Sequence, residues 1–574
     1  MKFVEKTLQD IYKSVLSEKI SNIKVNRKIN KLGTKTPDGK LVAFLSISND
    51  KKNAYVIKGE GKSFKKAINH ALEIYLAKKP KNFKPTNVKL DLVTKISPIF
   101  EDKDNIDLNS DKLTYNRGLD GIAFGANLET SFLPQEVTSY HIINGKKVHI
   151  KNAFRALHNH LPTTFSKFTK PIDENIPVKA FKFRTKSYFI NNDGFYKLYR
   201  GHRLFTDLTE KDLLHAITLT KDNYFKNVVN KKGKFIYSYL PHLNKREKRY
   251  NILRHAGTIY SMLETYELVP DEELLKEAKR AFKFLFKKIK PLEINGKNVQ
   301  VVVEKDAQKI GGNALAIVAL AKYTQLTGNK EHIPLMQDLA SWMKEVQGDN
   351  GEFTVHKQQY STGDKFDFVS HYYPGEAILA LVRLYQIDKN DEWLDVAEKA
   401  ANFLINIRDK NATIDTIAHD HWLLYGLNEL YRERQKDFYL EHSFFIAKAM
   451  MKTQISEESA KRRELIGGYV PKSGKEPKST PVACRSEGLG AAYRLARDYG
   501  HDELANKMSF AIQQGIKFQL QMQLRPENIM YYKNKKLCLG AIQGGLKSYS
   551  LRIDFTQHNI SSFISYYNIL KEKR

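Results

Sequence analysis

From Asp212 onward the sequence falls into pairs of segments with helical apolar periodicity, and this pairing limits the fold more than any other feature. Apolar residues recur every three and four positions in Asn251–Glu267 (NILRHAGTIYSMLETYE) and again in Asp271–Ile289 (DEELLKEAKRAFKFLFKKI), with Val269-Pro270 between them. The pattern returns in NALAIVALAKYTQLTG with HIPLMQDLASWMKEVQ, and in PGEAILALVRLYQ with DEWLDVAEKAANFLINIR. It returns again in AHDHWLLYGLNELYRERQ with DFYLEHSFFIAKAMMK, and in CRSEGLGAAYRLARDYG with DELANKMSFAIQQGIKFQLQ. The first members begin near residues 251, 311, 374, 418 and 484, intervals longer than the roughly 34-residue repeat of a helical solenoid. A sixth pair forms if the C-terminal Asp554–Glu572 packs on Leu213–Val229. That contact joins the two ends of the region and hides the apolar face that each terminal pair would otherwise expose. The expected fold of residues 210–574 is therefore an all-α (α/α)6 toroid, with a linear α-solenoid as the alternative. Gly-rich linkers such as GKFIYSYLP (Gly233–Pro241) and QGDNGEFTV (Gln347–Val355) predict turns and short ribbons between the pairs.

Residues 1–200 have a different texture and predict an α+β domain. Helix is expected over Lys2–Lys19 and Phe64–Ala77, and strand over Lys40–Ser48, Asn53–Gly59 and Val88–Ser97. The acidic Glu101–Lys112 stretch predicts an exposed loop, and Gly118–Val137 a strand, a loop and a turn at Pro134. Over roughly the first 140 residues this order resembles the AMMECR1-like domain. The family's LRGCIG segment would fall near Ala54–Gly61, where this chain reads AYVIKGEG without a cysteine. The resemblance thus implies an α+β domain and no activity.

The net charge of +30 is unevenly spread. Up to Tyr250 there are 48 basic and 24 acidic residues, and after it 46 and 40, so the two parts carry +24 and +6. A lysine-rich field attracts nucleic acid, anionic membrane or a polyanionic substrate. Lysine predominates where bidentate phosphate contacts would use arginine, and no zinc-finger spacing or aromatic RNP motif accompanies it. A solvated surface is the favoured reading, with polyanion contact or coverage of a pocket by the N-terminal domain as the functional alternative. Two cysteines, Cys484 and Cys538, make no disulfide framework and suit a reducing compartment. The N-terminus reads as an amphipathic helix rather than a secretory leader, and no run approaches the ~18 apolar residues of a membrane span. These features predict a cytoplasmic protein without a transmembrane segment.

Each first helix opens on a polar or glycine-rich motif. These are YNILRHAGT (Tyr250–Thr258), IGGNA (Ile310–Ala314), SHYYPGEA (Ser370–Ala377), AHDHW (Ala418–Trp422), ACRSEG (Ala483–Gly488) and LRIDFTQHN (Leu551–Asn559). In a toroid such starts converge on one end of the barrel. Glu376, Asp420, Glu487 and Asp554 occupy similar places in these motifs, so two of them could serve as acid and base or nucleophile. A first-turn carboxylate also serves simply to satisfy free N–H groups and the helix dipole. His255 and His421 join the catalytic candidates as proton shuttles. Substrate-binding candidates are Arg254, His371, Tyr372, Tyr373, His419, Tyr425, Arg485, Arg552 and His558, the arginines pairing with pocket carboxylates or clamping an anionic group. No metal and no cofactor is expected. Lanthipeptide cyclases, also helical toroids, hold zinc through two cysteines and a histidine with one Cys directly before the His, whereas Cys538 here precedes Leu539.

GGNALAIVALAKYTQLTGN and YYPGEAILALVRLYQIDKNDEWLDVAEKAANFL resemble the hairpins of the six-hairpin glycosidase-like superfamily. That group includes glycoside hydrolases, N-acylglucosamine 2-epimerase-like proteins and the C-terminal domain of glucuronyl C5-epimerase. The resemblance covers residues 210–574 and implies a carbohydrate-active enzyme, a glycoside hydrolase or sugar epimerase, acting on a saccharide or acidic saccharide. The alternatives are a lyase or cyclase using His and Tyr on the same ring, and a non-catalytic polyanion-binding scaffold.

Overall fold

A computed structural model describes residues 2–20, 22–99, 113–145, 147–162, 180–470 and 476–572. The expected Glu101–Lys112 loop lies outside the described residues. Contacts divide the chain into two compact units. The first comprises Met1–Leu204 together with Leu240–Lys245 and Leu524–Leu539, and the second comprises Phe205–Tyr239, Arg246–Gln523 and Gly540–Arg574.

The first unit is built on an eight-stranded antiparallel sheet. Its strands are β1 (Leu41–Ser48), β2 (Tyr55–Gly61), β3 (Asn87–Pro98), β4 (Asp120–Phe124), β5 (Thr130–Phe132), β6 (Ala180–Asn191), β7 (Gly194–Tyr199) and β8 (His202–Arg203). They run in the order β8-β7-β6-β3-β1-β2, with β4 pairing with both β6 and β5. Helices α1 (Lys2–Ser17) and α2 (Phe64–Lys78) contribute Leu8, Ile11, Phe64 and Tyr75 to the core on one face, against Leu45 and Ile47 of β1. On the other face Val42 and Phe44 pack with Leu133, Met530 and Tyr531. A strand buried on both faces explains why LVAFLSIS is apolar nearly throughout instead of alternating. Pro134 starts the short helix α3 (Pro134–Ser139) where the sequence predicts only a turn, since proline suits the first helical turn.

The excursion Leu524–Leu539 has no signal in the sequence, because its anchors are single residues. Tyr531 Oη donates to Ser46 Oγ at 2.8 Å, and Ala54 N–H donates to Met530 O at 2.8 Å. The fully buried Glu527 accepts two bonds from Arg203, at 2.5 and 3.1 Å.

In the second unit the described residues form six helix pairs. After α4 (Ile150–Leu157) in the first unit come α5 (Glu210–Leu219), α6 (Ile252–Leu268), α7 (Glu272–Phe286), α8 (Ile310–Thr327), α9 (Ile333–Glu345) and α10 (Tyr373–Asp388). They are followed by α11 (Asp391–Phe403), α12 (His421–Glu433), α13 (Asp437–Lys452), α14 (Ser479–Asp498), α15 (Asp502–Leu520) and α16 (Ile553–Glu572). The even-numbered helices from α6 to α16 pack on one another in sequence, and α16 returns to α6, so the inner ring is closed. Each inner helix carries an outer partner, with α5 backing α16. This is an (α/α)6 toroid, and it excludes the linear solenoid.

The inner helices are apolar nearly all round, as α8 shows with its run of buried residues from Ile310 to Ala321. Outer helices such as α7 keep a polar face. The unit is not purely helical. Ile289–Ile294 and Lys297–Glu304 form a hairpin extended by Ala307–Lys309 and Lys357–Gln359, and Gln543–Gly545 pairs with Ser548–Arg552. Five of the six inner helices start within three residues of the motifs that announce them. Helix α14 instead begins at Ser479, ahead of ACRSEG, because Pro481 is tolerated in a first turn.

Close approach of α10 and α12 depends on Gly375, where a Cβ would lie 2.5 Å from Leu423 N. Backbone cannot yield as a side-chain tip can. Gly375→Ala should therefore lower the thermal midpoint of the toroid by the equivalent of about 1–3 kcal/mol. Gly312→Ala, whose Cβ meets nothing nearer than 3.8 Å, should leave it unchanged or raise it. Equal midpoints for the two variants in thermal denaturation would contradict this packing.

Candidate active site

A cavity of about 740 Å3 lies at the N-terminal ends of the inner helices, and all six contribute to it. Helix α10 contributes Tyr373 and Glu376, the latter in the first turn after Pro374. Glu376 is 5% exposed, and its Oε2 has no hydrogen-bond partner and rests where a Cβ on Gly311 would stand, 2.2 Å away. Burial, reinforced by Asp420 and opposed by His558, holds its carboxyl well above the usual carboxylate range. Its environment in the cavity wall thus favours the protonated form.

Asp554, at the start of α16, is held by two arginines. Arg552 grips both of its oxygens at 2.5 and 2.9 Å, and Arg254 Nε of α6 approaches Oδ2 at 3.0 Å. Arg254 also donates to Tyr237 Oη. Closure of α16 against α6 therefore fixes two arginines around one carboxylate.

A third group joins α12, α14 and α16. His558 Nδ1 lies 2.8 Å from Glu487 Oε2, while His421 and His558 meet edge to face with ring centroids 5.3 Å apart. One ligand atom each from His421, Cys484, Glu487 and His558 lies within 4.8 Å of the others, so these four could hold a metal ion. His421 is 4% exposed, and neither of its ring nitrogens has a hydrogen-bond partner. Burial, with His558 and Arg485, keeps His421 well below the usual imidazole range. Burial pushes His558 the same way, but Cys484 and Glu487 outweigh it and hold His558 well above.

Of the residues expected from sequence, Arg254, His371, Tyr372, Tyr373, Glu376, His419, His421, Arg485, Arg552, Asp554 and His558 line the cavity. His371 and Tyr372 are exposed ahead of α10, and His419 accepts from Arg485 Nε at 3.0 Å. Four expected residues lie elsewhere. His255 faces outward to α7, where its Nε2–H donates to Ala281 O at 3.0 Å and its Nδ1 accepts from Tyr250 Oη at 2.7 Å. With both nitrogens satisfied and burial pushing it down to about 3, His255 is a neutral core histidine rather than a proton shuttle. Asp420 is the N-cap of α12, accepting from Trp422 N–H at 3.0 Å and Leu423 N–H at 3.1 Å, and it is fully buried behind the wall. Tyr425 is buried one turn deeper in α12. Glu487 is in the third turn of α14, not its first, and stands behind His558.

Trp422, Cys484 and Phe555 line the cavity and were not singled out as site residues from sequence. Trp422 and Phe555 directly follow His421 and Asp554, so the polar motifs already contained them.

No protein-family model and no curated protein matches the chain. The AMMECR1 resemblance therefore rests on element order alone. Solved structures with some similarity include a D-mannose isomerase (13% identity, TM-score 0.45, covering 64% of this chain and 100% of that one). A cellobiose 2-epimerase from Spirochaeta thermophila (14%, TM-score 0.44, 63% and 98%) also aligns. So does an alpha-1,6-mannanase from Salegentibacter sp. (13%, TM-score 0.42, 63% and 100%).

The state of Glu376 has a consequence for stability. The unfolded chain releases this proton near pH 4.5, whereas the folded protein retains it to higher pH. Stability conferred by the protonated form is thus lost as pH rises through that window. Glu376→Gln, which cannot ionise, should match the parent in thermal midpoint near pH 4.5 and exceed it increasingly toward pH 8. A difference independent of pH would show that Glu376 is ionised in the folded protein.

Proposed function

We propose that the toroid is a carbohydrate-active enzyme that hydrolyses a glycosidic bond: Glu376 gives its proton to the leaving oxygen as the C–O bond breaks, and water adds its oxygen to the anomeric carbon and returns a proton to Glu376. The observation that carries this reading is Glu376 itself, a buried carboxyl in the wall of a sugar-sized cavity. A carboxyl whose burial favours the protonated form is prepared to protonate a leaving oxygen. Trp422, Tyr373 and Phe555 supply the aromatic faces on which apolar faces of sugar rings pack, and Arg254 and Arg552 supply donors for hydroxyl or carboxylate groups.

The epimerase alternative needs two free acid–base groups on either side of a sugar carbon. His421 meets that requirement, but His558 is engaged by Glu487 and Cys484, which favours bond cleavage over a histidine-to-histidine proton shuttle. A binding scaffold would gain nothing from a desolvated carboxyl, which costs folding stability. The cytoplasmic setting and a role for the basic first unit in polyanion contact remain expectations from sequence, supported by composition alone.

A panel of oligosaccharides and uronic-acid glycosides, followed by NMR in D2O, tests the reading. Release of new reducing ends without deuterium entering C–H positions is expected, and deuterium exchange without cleavage would establish an epimerase instead. Glu376→Gln should lower kcat by about 10²–10⁴-fold with little change in KM; retained activity would overturn the assignment of the acid. Gly311→Ala, which displaces the Glu376 carboxyl, should also lower kcat, whereas the neighbouring Gly312→Ala should not. Equal activity of the two glycine variants would show that the position of Glu376 does not matter.

A further inference from the structure

We propose that His421, Cys484 and His558 hold a zinc ion, with Glu487 orienting His558 from behind and the fourth coordination position open to the cavity. A buried imidazole normally has a partner on at least one ring nitrogen, because an unmet buried donor or acceptor is destabilising. His421 has none on either, although it is 4% exposed.

What surrounds it is a set of ligands. The metal-binding atoms of His421, Cys484, Glu487 and His558 all lie within 4.8 Å of one another, and an ion at their centre needs only a small inward movement of each side chain. The donors come from consecutive inner helices, α12, α14 and α16, so the ring fixes their spacing.

Their chemistry selects the metal. One thiolate and two imidazoles suit zinc and disfavour magnesium or calcium, which take oxygen ligands. His558 Nδ1 is already engaged by Glu487 at 2.8 Å, which leaves Nε2 to the ion. A carboxylate behind a ligating histidine is the usual support of such a ligand. The three proposed ligands line the cavity and Glu487 does not. Three protein ligands with an open position make a catalytic rather than a structural zinc site. The inference does not depend on Glu376 and stands or falls separately from the proposed reaction.

Elemental analysis of the full-length protein, purified without added metal and again after equilibration with zinc and removal of the excess, tests it. About one zinc per chain is expected in the second preparation. Replacement by Co2+ should give a thiolate-to-cobalt charge-transfer band that Cys484→Ser abolishes. His421→Ala should lose the metal while keeping the parent's circular dichroism, and Glu487→Gln should bind zinc about 10–100-fold more weakly. Absence of zinc after equilibration, or full zinc content in both Cys484→Ser and His421→Ala, would overturn the site. Zinc bound without saccharide turnover would support the metal site and count against the proposed reaction, and turnover by a protein that takes up no zinc on equilibration would do the reverse.

Discussion

The packing of α16 between α14 and α6 is the contact on which the second unit depends. It joins the ends of the toroid, and it does so through residues with little side chain to spare. A Cβ on Gly490 of α14 would lie 2.3 Å from Ser565 Oγ of α16, and one on Gly257 of α6 would lie 2.6 Å from Gln557 Nε2. Ser261 Oγ donates to Gln557 O at 3.1 Å, and Ser562 Oγ donates to Gln519 Oε1 at 2.6 Å, so the seam is polar as well as tight. The same contact brings Asp554 to Arg254 and His558 to Glu487. Without closure neither the arginine pair nor the histidine cluster would exist.

The ring was legible because its signal is periodic. Apolar residues spaced for a helix face announce each pair, and the need to cover two terminal faces foretells closure. The chemistry was legible only to the level of the motif. Arg254 and His255 are adjacent in YNILRHAGT, yet one turns to the cavity and the other to Ala281 of the outer helix, a difference of about 100° that no composition reveals. Asp420 was expected to act and instead caps its helix, the ordinary use of an aspartate at that position. Cys484 carried no ligand signal in the sequence, because His421 and His558, whose ligand atoms lie near its sulfur, come from other helices.

The basic first unit shows why charge counts mislead in a similar way. Some of its cations are structural. Lys89 is fully buried on β3, donating to Asp91 at 2.7 Å and Gln135 at 2.8 Å, and Arg203 is taken up by Glu527. Burying a lysine is tolerable only with such partners. Lys89 and Asp91 cancel within the count to Tyr250, whereas Arg203 is counted before Tyr250 and its partner Glu527 after it, so the +24 overstates the first unit's charge at that pair.

The central claim is that the N-terminal ends of the inner helices enclose one reactive cavity with Glu376 as its acid. A crystal structure of the Glu376→Gln protein with a bound oligosaccharide tests this most directly. Sugar rings are expected against Trp422, with a glycosidic oxygen within about 2.6–3.2 Å of the residue-376 side chain. A saccharide bound elsewhere on the toroid, with this cavity filled only by water, would contradict it.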